Sequence, residues 1–295
     1  MGRRIMLTIA YDGTDYVGWQ MQPNGTAVEE VLNKVLQELT GEDIVVAGAS
    51  RTDSGVHADG NVAVFDTDSK IPAEKFCFAL NQRLPKDIVC VASCEVAPDF
   101  HPRHADCIKT YEYRIYNAVH PDPLKRRYSY FVYVPLDIDA MRKAAGYLKG
   151  EHDFASFCSA HAQVKTTVRN VYTLEIFSEK DTGEEPGLKD PVNAQGQEET
   201  LGSTDINEKT VREKYMAHDI VIRISGNGFL YNMVRIIAGT LCKVGYHFYP
   251  PEHVKEILEG CDRKLAGPKA PPEGLKLVGI EYIPSPVVSN EKSEK

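Results

Sequence analysis

The segment of this chain best suited to chemistry is Gly48-Ala49-Ser50-Arg51-Thr52-Asp53-Ser54-Gly55-Val56-His57-Ala58. Small residues before Arg51 and a glycine after Asp53 allow sharp backbone bends. Arg51 and Asp53 lie two apart, so in an extended loop their side chains share one side. A guanidinium beside Asp53 would lower its pKa and keep it ionised. An ionised carboxylate is what nucleophilic attack at a sugar or base carbon requires. From this loop alone, a structural Arg–Asp pair in a turn is the commoner reading.

Two other positions stand out. Leu230, Val234, Ile237, Leu241 and Val244 make one apolar helical stripe, and Arg235 interrupts the apolar stretch around it. A buried arginine must meet a carboxylate or reach water. Tyr111 lies in a β-type run with Tyr113 and Tyr116; two-residue alternation puts Tyr111 and Tyr113 on one face and Tyr116 on the other. Alone, such tyrosines read as core aromatics. His57, His101 and His152 lack ligand spacing, so structural roles are expected and no metal.

The elements that must position these residues follow from periodicity. Arg4 to Ala10 alternates as a half-buried strand. Val28, Val31, Leu32, Val35, Leu36 and Leu39 recur at helical spacing up to Gly41. Further strands are expected over 44–47, 61–66 and 88–96, with a helix opened by Pro72 and running through Leu80. The same grammar then restarts: strand 108–117, helix 139–148 ended by Gly150, strands 168–177 and 218–225, helix 230–244, a short helix over 251–259, and strand 275–282. The expected class is α+β: two similar α/β halves, 1–107 and 108–283, with mainly antiparallel sheets and a central active-site cleft. Residues 180–214 are acidic, rich in Gly and Pro, and carry no periodic apolar face, so a mobile insertion is expected there, and a disordered tail over 284–295.

Charge narrows the choice of partner. The net charge is −8, yet from Glu179 to Lys214 ten acidic residues stand against five basic ones. The remainder is close to neutral. Arg103, His104, Lys109, Arg114, Lys125, Arg126 and Arg127 gather within 25 residues, so a local basic surface is compatible with the acidic total. Arg103, Lys109, Arg114 and Arg169 are candidate RNA-backbone contacts, with a solvated loop as the plain alternative for 125–127. The seven cysteines are odd in number and none has CxxC spacing, which argues against a disulfide framework or zinc site and for a reducing compartment. No apolar run is long enough for a membrane span, and no signal-peptide pattern follows Met1, so a cytoplasmic location is expected.

The loop from Gly48 to Ala58 resembles the catalytic loop of the tRNA pseudouridine synthase A family. Other motifs follow in the family's order. They include Tyr11-Asp12-Gly13-Thr14-Asp15-Tyr16-Val17-Gly18-Trp19, Lys109-Thr110-Tyr111-Glu112-Tyr113, Gly150-Glu151-His152-Asp153-Phe154, and Gly226-Asn227-Gly228-Phe229-Leu230-Tyr231-Asn232-Met233-Val234-Arg235. The resemblance implies isomerisation of uridine to pseudouridine in the tRNA anticodon stem-loop, around positions 38–40, on a base taken out of its stack. It makes Asp53 the catalytic residue, Tyr111 a base-stacking tyrosine, and Arg235 the partner of Asp53, with Arg51 alongside as a substrate-binding residue. It implies a homodimer, and the absence of cofactor motifs fits a reaction with none. Pro102, His104, Lys269 and Glu273 depart from the family pattern. A haloacid-dehalogenase reading of Asp12-Gly13-Thr14 fails, because Ala10 stands where that family needs an aspartate. A glycosidase would want a second carboxylate across a pocket. The alternative from another class is a non-catalytic RNA-binding protein of the same fold.

Overall fold

A computed structural model describes residues 2–159, 165–178 and 218–287. The acidic segment 180–214 lies outside the described residues, as does the tail beyond 287. Residues 284–287, assigned from sequence to a disordered tail, are described, and Val287 bridges to Val96.

Among the described residues, ten strands make one sheet. They are β1 (Arg3–Tyr11), β2 (Ala47–Gly48), β3 (His57–Thr67), β4 (Ile88–Val96), β5 (Cys107–Asn117), β6 (Tyr130–Val132), β7 (Gly150–Asp153), β8 (Val168–Ser178), β9 (His218–Gly226) and β10 (Leu275–Tyr282). Their order is β4-β1-β3-β10-β5-β9-β8-β7, with β2 beside β3 and β6 beside β5. Among the described residues, only β10 against β3 and β6 against β5 are parallel. The fold is therefore α+β with a mainly antiparallel sheet, as expected.

Alternation sets the faces. Ile5, Leu7, Ile9 and Tyr11 of β1, with Tyr111, Tyr113 and Ile115 of β5, point into one large core. The helices α1 (Val28–Thr40), α2 (Phe76–Asn81), α3 (Ile138–Gly146), α4 (Met233–Gly245) and α5 (His253–Gly260) contribute to the same core. α1 buries Val28, Leu32, Val35 and Leu36, and stops where Gly41 turns left-handed and its N–H returns to the Gln37 carbonyl. α4 is buried along its whole length except at Lys243. A smaller apolar cluster of Ala49, Val62, Val64, Val96, Phe100 and Tyr282 lies apart from this core.

Several boundaries differ from the periodicity. Ile44-Val45-Val46 alternates buried, exposed, buried, but forms no strand. The Val46 N–H bonds instead to Asn33 Oδ1 at 2.9 Å, so a side chain of α1 takes the place of a ladder. β3 begins at His57 rather than at residue 61. The helix expected from Pro72 is a short 3₁₀ turn over Ala73–Lys75 followed by α2. α3 ends at Gly146, and Gly150, at φ 99°, opens β7 instead of stopping the helix. α4 starts at Met233, because Asn232 before it is left-handed.

Candidate active site

The loop between β2 and β3 is held from several sides. Asn61 clamps Ser50, accepting its N–H at 3.2 Å and donating to its carbonyl at 2.9 Å. The Trp19 N–H bonds to the Thr52 carbonyl at 3.1 Å, and Tyr11 Oη lies 2.7 Å from Thr52 Oγ1. Gly18 makes this approach possible: its φ is 109°, and a Cβ there would press on the Thr52 carbonyl. The result is a rigid loop that presents Asp53 from the end of a buried sheet.

Asp53 meets Arg235 from α4. Arg235 NH1 lies 3.2 Å from Asp53 Oδ2, with the two side chains only 8 % and 18 % exposed. Arg235 also donates from Nε to the Ala270 carbonyl at 2.8 Å and from NH1 to Asn232 Oδ1 at 3.1 Å. A guanidinium this deep is thus engaged through Nε and NH1 by a carbonyl, an amide oxygen and a carboxylate, which offsets its desolvation.

Arg51 does not act as the spacing suggested. It is exposed on the cleft wall. Asp53 is not held below the ordinary aspartate value: burial pushes its pKa up, opposed by Arg235 and more weakly by Lys269. The loop is bent rather than extended at this point, since the Val56 N–H closes back on the Asp53 carbonyl. Two-residue alternation therefore does not apply there.

Tyr111 is buried, its Oη 2.7 Å from Ser50 Oγ and its ring edge-on to Phe229 with centroids 5.2 Å apart. Burial, with the Asp53 carboxylate nearby, pushes its phenol up to about 12, so it stays neutral. The surrounding cleft has a volume of about 840 Å³. Asp53 is its only lining carboxylate among the described residues, whereas Arg51, Arg103, Lys109, Lys165 and Arg169 all line it.

Three of those cations are tethered to backbone oxygens. Arg103 Nε donates to the Gly48 carbonyl at 2.7 Å and Lys109 Nζ to the Ala49 carbonyl at 2.9 Å. Arg169 NH1 reaches the Thr166 and Val168 carbonyls at 3.0 and 2.6 Å. Burial lowers the pKa of Lys109 and of Arg103. Such groups gain from an anion that enters the cleft.

Arg114 is not brought to this cleft. It faces the other side of β5, bonds Glu112 at 3.3 Å, and lines a separate cavity of about 570 Å³ with Lys125. Lys125 pairs there with Asp219 at 2.6 Å. His57 is buried, its Nδ1 accepting the Gly13 N–H at 3.1 Å. His152 bonds the Lys149 carbonyl at 2.8 Å. Among the described residues no cluster of three or more His, Cys, Asp or Glu could hold a metal. Ser50, Phe229, Asn232, Lys165 and Lys269 were given no role by sequence reasoning. Lys165 carried no signal at all; Asn232 lay inside a quoted motif, and only its helix-start geometry reveals it.

The fold and this cleft define a class, an α+β enzyme site with one carboxylate, among the described residues, in a cationic groove. Comparison with known proteins gives the family. A sequence model described as tRNA pseudouridine synthase matches residues 7–104 and 144–283. The chain is 45 % identical over 280 residues to a tRNA pseudouridine synthase A of Ruminiclostridium cellulolyticum, covering 95 % of this chain and 100 % of that one. It is 42 % identical, with the same coverage, to a tRNA pseudouridine synthase A 2 of Clostridium perfringens. A tRNA pseudouridine synthase A of a Thermoanaerobacter species is 41 % identical over the same length. The chain belongs to the tRNA pseudouridine synthase family.

Proposed function

We propose that this chain isomerises uridine to pseudouridine in the anticodon stem-loop of tRNA, around positions 38–40, with Asp53 as nucleophile or base on an extruded nucleotide. The observation that carries this reading is Asp53 itself: the one lining carboxylate among the described residues, ion-paired to Arg235, in a cleft whose walls include five cations. Membership of the family supplies the reaction class.

The chemistry conserves atoms. The N1–C1′ bond breaks, the freed base turns while held, and carbon 5 bonds C1′; the proton lost from carbon 5 is matched by one gained at N1. Nothing is oxidised or hydrolysed, so no redox cofactor is consumed. Asp53 either adds to a carbon of the nucleotide or removes a ribose proton. Both roles need its ionised form, which Arg235 favours against the cost of burial. Tyr111 supplies a neutral aromatic surface for the extruded base, and Arg51, Arg103, Lys109 and Arg169 take the backbone phosphates.

The division into halves 1–107 and 108–283 belongs to the same reading. It is supported by Asp53 coming from a loop of the first and Arg235 from a helix of the second. So do a homodimer and a cytoplasmic location. The homodimer is supported by family resemblance and by the apolar side chain of Phe177 on β8, which is 43 % exposed; light scattering of the full chain tests it. No helix among the described residues is long and apolar enough to cross a membrane.

The test is incubation with unmodified tRNA and mapping of pseudouridine by position. Product in the anticodon stem-loop supports the reading. Binding without product favours the RNA-binding alternative.

A further inference from the structure

Arg235 holds Asp53, and a residue outside the reaction holds Arg235. Asn232 is buried and stands immediately before α4 with φ 62°. A left-handed backbone strains most side chains, and Asn is among the few that tolerate it. Its Oδ1 accepts at 3.1 Å from the same Arg235 NH1 nitrogen that reaches Asp53 at 3.2 Å. Its Nδ2 donates to Ser159 Oγ at 2.9 Å.

These contacts fix the amide's orientation. A guanidinium has donors and no acceptor, so the amide oxygen must face Arg235 and the NH₂ must face Ser159. The two hydrogens of NH1 are then divided, one to Asn232 and one to Asp53. With Nε committed to the Ala270 carbonyl, the plane of the guanidinium is set.

We propose that Asn232 is the positioning residue of the Asp53–Arg235 pair, aiming Arg235 at Asp53 through a neutral acceptor that leaves the cation's charge for the carboxylate. Neutrality matters as much as geometry. A carboxylate in its place would share the positive charge of Arg235 and add a negative charge behind it, and both effects raise the pKa of Asp53. The charged and titratable groups facing Asp53 are Arg235 from α4, Lys269 from the segment before β10, and Tyr111 from β5. Ser159, through its bond to Asn232, supports the same orientation from the chain before Lys165 and Arg169.

This inference rests on Asp53 as the reacting carboxylate. It is tested on the full chain with unmodified tRNA, using Asn232→Gly, Asn232→Asp and Ser159→Ala. Glycine keeps the left-handed backbone and removes the acceptor; aspartate keeps an acceptor and adds charge. Circular dichroism and thermal unfolding confirm folding of each. Asn232→Gly should lower kcat at least about tenfold while KM stays within about twofold, since a small misaiming of reacting groups is costly. Asn232→Asp should move the acid limb of the pH–rate profile to higher pH, and Ser159→Ala should act as a weaker Asn232→Gly. Wild-type kcat and an unmoved acid limb in the folded variants would overturn the proposal, as would a loss confined to KM. Inactive wild type, or active Asp53→Asn, would defeat the reading of the site itself and is read separately.

Discussion

At the residue scale, burial and the Arg235 partner act in opposite directions on the Asp53 carboxylate. Burial raises the pKa of Asp53, and the reaction needs its ionised form. Activity should therefore fall, as pH is lowered, at a higher pH than an exposed aspartate would give, and a kcat–pH profile measures this. Removing the guanidinium with Arg235→Ala should move that limb higher still and cut kcat. It should also destabilise the chain by about 3–5 kcal/mol, because the buried carboxylate is left alone. For stability the sign is opposite to that for activity. A raised carboxyl pKa means the folded chain takes the proton more readily than the unfolded one, so this site's contribution is present at low pH and is lost as pH rises through the folded value. Tyr111→Phe keeps the ring and loses only the bond to Ser50, about 1 kcal/mol of stability, with turnover largely retained. Tyr111→Ala should lose turnover as well. Product formation by the two variants separates the ring from the hydroxyl.

At the element scale the critical pieces are the β2–β3 loop and α4. Gly239 lets α4 lie against the segment that supplies the Ala270 carbonyl, since a Cβ there would run into the Pro268 carbonyl. Alanine usually strengthens a helix. Here Gly239→Ala should cost about 1–3 kcal/mol in denaturant unfolding, because it overpacks a closed contact. Much of this element structure could be read from the sequence. The apolar stripe around Arg235 required a partner for a buried cation, and the structure supplies Asp53 together with Asn232 and Ala270. Two-residue alternation, applied in the sequence only to Tyr111, Tyr113 and Tyr116, also sends Arg114 to the far side of the sheet, although its charge and position in the chain suggested RNA contact. Other features depend on contacts distant in sequence. Ile44–Val46 has a strand's pattern but no neighbour to pair with. β7 is Gly-Glu-His-Asp, with no apolar alternation to announce it. The left-handed turn at Asn232 is a backbone state that the apolar periodicity of the helix does not encode.

At the scale of the whole molecule, a net charge of −8 coexists with a cleft lined by five cations and one carboxylate. RNA affinity should fall steeply with salt. Replacing Lys109 or Arg169 by a neutral residue should each reduce the slope of log K against log salt by about 0.7–0.9. Arg114→Ala should leave that slope unchanged, since Arg114 is paired with Glu112 away from the cleft. Filter binding across a salt series measures all three.

In this reading Asp53 performs the chemistry and the cleft around it performs the binding. The most direct measurement compares wild type with Asp53→Asn for pseudouridine formation in unmodified tRNA, with tRNA affinity measured in parallel. Arg235 keeps the Ala270 carbonyl and Asn232 Oδ1 in that variant, so the fold is expected to survive. The account predicts full loss of product with affinity retained; equal product from both proteins would contradict it.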